Sequence, residues 1–161
     1  MIKIIIKVLT LVFLSSIVRA EPDFMDLEEQ THCLASAIYF ESRNQPIIGQ
    51  IAVGLVAINR MLDSRFPNTV CEVVKQADRD DNGRIVRHQC QFSYYCDGLK
   101  ETIREERAWI TAKTIAAVVM TEEHPDITGG ALFYHSDQVE PYWSSVFEVT
   151  VQIGNHIFYR R

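Results

Sequence analysis

Leu34-Ala35-Ser36-Ala37-Ile38-Tyr39-Phe40-Glu41-Ser42-Arg43 is the stretch on which the fold turns. Leu34, Ala37, Ile38 and Glu41 stand at i, i+3, i+4 and i+7, one face of an α-helix. The pattern predicts a helix from Leu27 to about Arg43. Asn44 to Gly49, with Pro46 and Gly49, breaks it. Glu41 sits where the apolar face predicts another core residue. A carboxyl half-sunk in an apolar, aromatic wall tends to hold its proton near neutral pH. At a cleft edge, such a group is what glycosidic bond cleavage needs as general acid. The alternative is an ion pair between Glu41 and Arg43 or Arg60 at a helix terminus.

Outward from this helix the chain alternates apolar patterns with turn signals. A second helix is predicted from about Gln50 to Leu62, with Ile51, Leu55 and Ile58 on one face. Asp63 to Pro67 is a turn, and Thr69 can cap a short third helix through Lys75. Ala77 to Gln89 is polar and reads as an exposed loop. Its Asp80-Asp81-Asn82-Gly83 lacks the full ligand spacing of a calcium loop and reads as a solvated turn. A long helix follows from about Arg104 to Thr121, with Trp109 in its apolar stripe, and His124-Pro125-Asp126 ends it. Ala131 to Tyr134 reads as a short strand. Phe147 to Ile153 alternates like a half-buried strand, Gly154-Asn155 is a hairpin turn, and His156 to Tyr159 is the return strand. The class is α+β: helix-dominated, with a small C-terminal antiparallel sheet.

At 161 residues, with 47% hydrophobic and 23% charged residues, the chain has the length and composition of one globular domain. Its first twenty residues have another character. Lys3 and Lys7 precede an apolar run from Val8 to Val18, and Val18-Arg19-Ala20 offers a cleavage site. That is the anatomy of a secretory signal over residues 1–20, too short for a membrane span; an uncleaved anchor is the alternative. The expected mature domain is 21–161. Removing Lys3, Lys7 and Arg19 takes the net charge from −5 to −8, the wrong sign for a nucleic-acid binder. Four cysteines in an exported chain read as two disulfides. Cys33 and Cys71 lie near two predicted helices, and Cys90 and Cys96 bracket one short loop, which favours Cys33–Cys71 and Cys90–Cys96. A zinc site with His32 or His88 is the rival, but Cys-x5-Cys with a lone His-x-Cys matches no common zinc spacing.

Ala37-Ile38-Tyr39-Phe40-Glu41-Ser42-Arg43, then Gly49-Gln50-Ile51-Ala52-Val53 and Ile58-Asn59-Arg60, resemble the cell wall hydrolase family of the spore-cortex-lytic (SleB) type. So do Arg65-Phe66-Pro67-Asn68-Thr69-Val70-Cys71, Cys90-Gln91-Phe92-Ser93, Cys96-Asp97-Gly98, Thr128-Gly129-Gly130-Ala131-Leu132-Phe133-Tyr134-His135 and Ile153-Gly154-Asn155-His156-Ile157-Phe158. The blocks stand in family order from Cys33 to Tyr159, and the cysteine-bearing form resembles exported members. One departure is Asn44-Gln45, where the family usually has a Gly-Glu pair, so no second carboxylate stands at Gln45. The resemblance implies a lysozyme-like domain that cleaves peptidoglycan glycan strands, with its catalytic acid at Glu41. It further implies lytic transglycosylation between N-acetylmuramic acid and N-acetylglucosamine, in which one Glu serves as acid and then as base. Asp97 and Asp137 are the candidates for a second carboxylate if water is the nucleophile.

The expected substrate-binding residues are Gln50, Asn59, Gln91, Phe92, Ser93, Tyr134, His135 and Trp143. Gln50 and Asn59 can donate to sugar or to Glu41, or simply cap and pack. Gln91, Phe92 and Ser93 occupy an aromatic loop suited to sugar stacking, although Phe92 also fits the core. Tyr134 and His135 close a strand, where the tyrosine hydroxyl can reach the N-acetyl group, the acid, or only the core edge. Trp143, on a loop with Pro141 and Tyr142, offers a sugar platform. No cofactor and no metal are expected, and the partner is the glycan strand, met by a monomer. Two other functions compete: a non-catalytic wall- or protein-binding module, and a Cys/His protease or amidase. The second lacks a free thiol and any Gly-x-Ser-x-Gly or His-Glu-x-x-His motif.

Overall fold

The computed structural model describes residues 24–121 and 124–161; the expected signal segment, residues 1–20, lies outside them. Helix α1 (Phe24–Ser42) is the centre of the molecule and packs on α2 (Ile47–Leu62), α3 (Val70–Val74) and α4 (Glu106–Thr121). Leu34, Ala37 and Ile38 are fully buried, as their spacing predicts. They meet Leu55 of α2, Val73 of α3 and the Ala112, Ile115, Ala116 and Val119 stripe of α4 in one core. The α1–α2 contact is close because Gly54 has no side chain: a Cβ there would stand 3.1 Å from Ile38 Cδ1.

Helix α2 begins at Ile47, three residues before the sequence reading places it. Pro46 immediately precedes it with φ −53°, and Gly49 lies inside its first turn, so this pair starts a helix rather than only ending one. Thr69 caps α3 as expected, its hydroxyl accepting from Glu72 N at 3.2 Å. Both disulfides have the expected pairing. Cys33–Cys71 ties α1 to α3, and Cys90–Cys96 closes a six-residue separation.

Residues 77–90 are not a loop. Strands β1 (Ala77–Arg79) and β2 (Ile85–Cys90) pair as an antiparallel ribbon. It is mostly exposed on both faces and shows no apolar alternation, so its pattern resembles a polar loop. The turn organises it: the Asp80 carboxylate accepts from the backbone N–H of Asn82 and of Arg84, both at 2.9 Å.

The C-terminal sheet has strand order β3 (Phe133–Ser136), β5 (His156–Arg160), β4 (Glu148–Ile153), all antiparallel. Strand β3 starts two residues later than predicted. Ala131 is buried against α2, and the Leu132 carbonyl is taken by Arg60 Nε at 2.6 Å instead of a sheet partner. The inner sheet face presents Phe158 and Tyr134 to Ala52, Val53 and Val56 of α2. The outer face carries Phe133, His135 and Tyr159 in an aromatic cluster with Trp143 and Phe147.

Candidate active site

Glu41 is in the last turn of α1 and half-buried. Its carboxylate is held from two other parts of the chain. Oε1 accepts from the Ser93 hydroxyl at 3.0 Å and from the Tyr94 backbone N–H at 3.3 Å. Oε2 accepts from the Tyr134 hydroxyl at 3.3 Å. Neither cation proposed as an ion-pair partner takes that place. Arg43 Nε bonds Glu105 Oε1 at 3.0 Å, and Arg60 Nε bonds the Leu132 carbonyl. The surroundings of Glu41 are therefore more polar than an apolar helical face predicts, and they consist of neutral donors.

Each donor is itself fixed. Ser93 and Tyr94 begin a short 3-10 turn, Ser93–Cys96, inside the Cys90–Cys96 disulfide. Phe92 precedes it and is wholly buried, anchoring the turn in the main core. The Tyr94 ring stacks on Phe40, with centroids 4.8 Å apart and planes 20° apart. Tyr134 lies on β3 opposite Phe158 of β5, its ring edge-on to His156 at 5.2 Å. Burial pushes the Tyr134 hydroxyl well above the ordinary tyrosine range, and the Glu41 charge pushes it the same way. It stays a neutral hydroxyl, able to donate or to accept.

Beneath the site is a buried cation. The Arg60 guanidinium stands 5.4 Å from the ring centroids of Phe66, Phe92 and Phe133. Burial lowers its pKa to about 10, with electrostatic interactions with Tyr134 and Glu41 acting in the opposite direction. It remains charged near neutral pH. Its Nη1 has no hydrogen-bond partner among the described residues.

Of the residues expected from the sequence, Ser93 and Tyr134 reach Glu41. The others lie elsewhere. Gln50 is buried and donates to the Gln45 carbonyl at 3.0 Å. Asn59 Nδ2 donates to Asp126 Oδ2, Thr128 Oγ1 and the Ala131 carbonyl, clamping the loop before β3. Gln91 is exposed, and Phe92 is in the core. His135 is on the far face of β3 from Tyr134, buried, with Nε2 2.7 Å from the Tyr159 hydroxyl. Trp143 packs against His135 and Phe133 on that same outer face. Three participants escape the sequence reading. Tyr94 acts through its main chain, which residue type does not reveal. Glu105 meets Arg43 across 62 positions. His156 supports Tyr134 from the neighbouring strand.

Glu41 opens into a depression of about 410 Å³, lined also by Phe40, Arg43, Asn44 and Glu105. Phe40, Arg43 and Glu105 are shared with a second cavity of about 520 Å³, which runs along residues 93–105. Among the described residues no group of three or more His, Cys, Asp or Glu is placed to hold a metal ion. The arrangement thus offers one carboxyl group with its oxygens differently held, facing an open groove.

Known proteins resemble this chain in sequence and in fold. The model of the Cell Wall Hydrolase family matches residues 44–159, beginning just after Glu41. The spore cortex-lytic enzyme of Bacillus cereus is 33% identical over 126 residues, covering 78% of this chain and 42% of that enzyme. The spore cortex-lytic enzyme of Oceanobacillus iheyensis is 30% identical over 128 residues, covering 78% of this chain and 39% of that enzyme. This chain therefore spans less than half the length of these curated relatives. Two solved structures share the fold. One is the catalytic domain of the Bacillus cereus SleB protein, with TM-score 0.61, 30% identity and coverage of 83% of this chain and 91% of that one. The other is the catalytic domain of the germination-specific lytic transglycosylase SleB from Bacillus anthracis, with TM-score 0.59, 29% identity and coverage of 89% and 100%. With the family match extending over most of its length and the fold of the SleB catalytic domains, the chain belongs to the cell wall hydrolase family.

Proposed function

We propose that the chain is an exported enzyme that cleaves peptidoglycan glycan strands by lytic transglycosylation between N-acetylmuramic acid and N-acetylglucosamine. Glu41 is its single catalytic carboxyl group. The observation that carries this reading is the three-donor cradle around Glu41 at the wall of an open groove. Similarity to a relative described as a lytic transglycosylase supports the reaction type.

In this reading the two oxygens divide the labour. A backbone N–H can only donate, so Tyr94 makes Oε1 a permanent acceptor. The transferable proton belongs on Oε2, where the Tyr134 hydroxyl can turn from donor to acceptor. Glu41 gives that proton to the glycosidic oxygen as the bond to the muramic anomeric carbon breaks. The resulting carboxylate takes the proton of the muramic 6-hydroxyl, whose oxygen closes on the anomeric carbon. A 1,6-anhydro end forms, and Glu41 ends protonated, ready for the next cycle. This economy needs no second carboxylate, unlike ordinary hydrolysis by a pair. Glu105, the other carboxylate of the depression, is engaged by Arg43. Asp97 lines the adjoining cavity, and Asp137 stands near the β4–β5 turn, its N–H on the Asn155 carbonyl at 2.8 Å.

The test compares wild type with Glu41→Gln on purified peptidoglycan, with mass spectrometry of the fragments. Wild type should release 1,6-anhydro ends. The variant should lose more than the roughly 100-fold typical of removing one proton-transfer group, with unchanged circular dichroism. A folded variant near wild-type rate removes Glu41 from the mechanism. Reducing ends without anhydro ends from wild type would mean that water is the nucleophile.

A further inference from the structure

We propose that the cavity along residues 97–105 binds the stem peptide of the strand being cut, so that the enzyme prefers peptide-bearing to stripped glycan. This deepens the reading of Glu41 as the strand-cleaving acid and rests on it. The cavity, about 520 Å³, adjoins the Glu41 depression through Phe40, Arg43 and Glu105. Half of its lining is neutral or aromatic, but the other half has the wrong chemistry for sugar alone. Arg43, Lys100 and Arg104 bring three cations, and Asp97, Glu101 and Glu105 bring three anions. A glycan backbone whose muramic lactyl carboxyls are capped as amides is uncharged and is held by neutral hydrogen-bonding groups and ring faces. A peptide attached to the muramic lactyl group carries carboxylates and, where a diamino acid is not cross-linked, a free ammonium. Cations and anions set side by side in one cavity match that ligand.

The charges are available and their backbone is set. Among the described residues the cavity holds one ion pair, Arg43–Glu105, and both its members are well exposed. An exposed pair of this kind contributes little and opens cheaply. Asp97, Lys100, Glu101 and Arg104 have no ion-pair partner among the described residues. The wall that carries them is tied at both ends. The buried Tyr39 hydroxyl accepts from the backbone N–H of Arg104 and of Glu105, each at 3.1 Å. Asp97 Oδ1 accepts from Leu99 N at 2.7 Å, and the Asp97 carbonyl accepts from Arg87 Nε at 2.8 Å. Arg43 lies where the two depressions meet, and in this proposal its guanidinium fork leaves Glu105 to take the first carboxylate of the stem peptide.

The experiment has two arms. In the first, kcat/KM is measured on intact peptidoglycan and on the same strands stripped by an amidase and re-capped as lactyl methylamides, so that no new carboxylate is exposed, for wild type and for Arg104→Glu with Lys100→Glu. Wild type should favour intact strands by about tenfold, the equivalent of one good charged contact, and the double variant should lose that preference. Equal wild-type rates on the two substrates, or an equal loss on both in the variant, overturns the proposal. In the second arm, free stem tripeptide is titrated into the full chain carrying Glu41→Gln, followed by amide NMR shifts. Shifts confined to residues 97–105 and the end of α1, absent in Arg104→Glu, support the site. Shifts scattered or missing at millimolar peptide overturn it. The second arm reads peptide binding without turnover, so a failure of the Glu41 mechanism and a failure of the peptide site give different results.

Discussion

Ser93 and Tyr134 grip opposite oxygens of Glu41, and their removal should not be equivalent. Tyr134→Phe leaves Oε2 without its only partner among the described residues and removes the hydroxyl that can swap donor for acceptor. Turnover on peptidoglycan should fall about tenfold or more, while stability changes by about 1 kcal/mol. Ser93→Ala leaves the Tyr94 N–H on Oε1, so its loss should be smaller; the reverse ranking in single-turnover assays would refute the division between the oxygens. His156 gives a pH signature of a different kind. Burial holds its imidazole below the ordinary value of 6.5; Asp137 acts against this, and His135 adds to it. Below about 6.5 the unfolded chain takes up a proton that the folded chain refuses, so stability is full above that pH and declines as pH falls. Urea unfolding at about pH 7.5 and pH 5.5 should show this decline in wild type and a shallower one in His156→Asn.

The two disulfides make different demands at the scale of elements. Cys90–Cys96 closes a short separation of 6 around the turn bearing Ser93 and Tyr94, whereas Cys33–Cys71 spans 38 and joins α1 to α3. Loop-closure entropy assigns roughly 2 kcal/mol to the first and roughly 4 kcal/mol to the second. Replacing Cys90 and Cys96 by Ala should cost the smaller amount in denaturation yet lower kcat, because both Oε1 donors lose their tether. Replacing Cys33 and Cys71 should cost more stability and leave kcat per folded molecule near wild type. Elements also show what could be read beforehand. The helices were legible because one stripe of each is buried, and apolar spacing records that directly. Ribbon β1–β2 was not, since its stability comes from the Asp80 turn and main-chain pairing, which leave no apolar period. Tyr134 and His135 read as a pair, but the pleat sends neighbours to opposite faces, so only one could reach Glu41. Ser93 was legible as a loop polar residue in a cysteine clamp. The N–H of Tyr94 was not, because every residue but proline has one.

Across the whole molecule, α2 is the strut between helical core and sheet. Its last turns grip the segment before β3 twice, through Asn59 to Asp126, Thr128 and Ala131 and through Arg60 to Leu132. Asn59→Ala removes an amide whose two N–H groups are shared among three acceptors at a half-buried junction. It should lower stability by about 2 kcal/mol, measured by denaturant titration, with little change in kcat per folded molecule. A large kcat loss at unchanged stability would instead restore Asn59 to substrate contact. The three groups that hold Glu41 lie 52, 53 and 93 positions further along the chain. A nascent chain that has made α1 already contains the acid, but in a bare helix with no partner for either oxygen. The turn must be drawn in and the final hairpin laid down before the carboxyl is dressed for chemistry. On the proposed mechanism the carboxyl gains its full set of donors only after Tyr134, 93 positions on, has been made and β3 has found its partner strand β5.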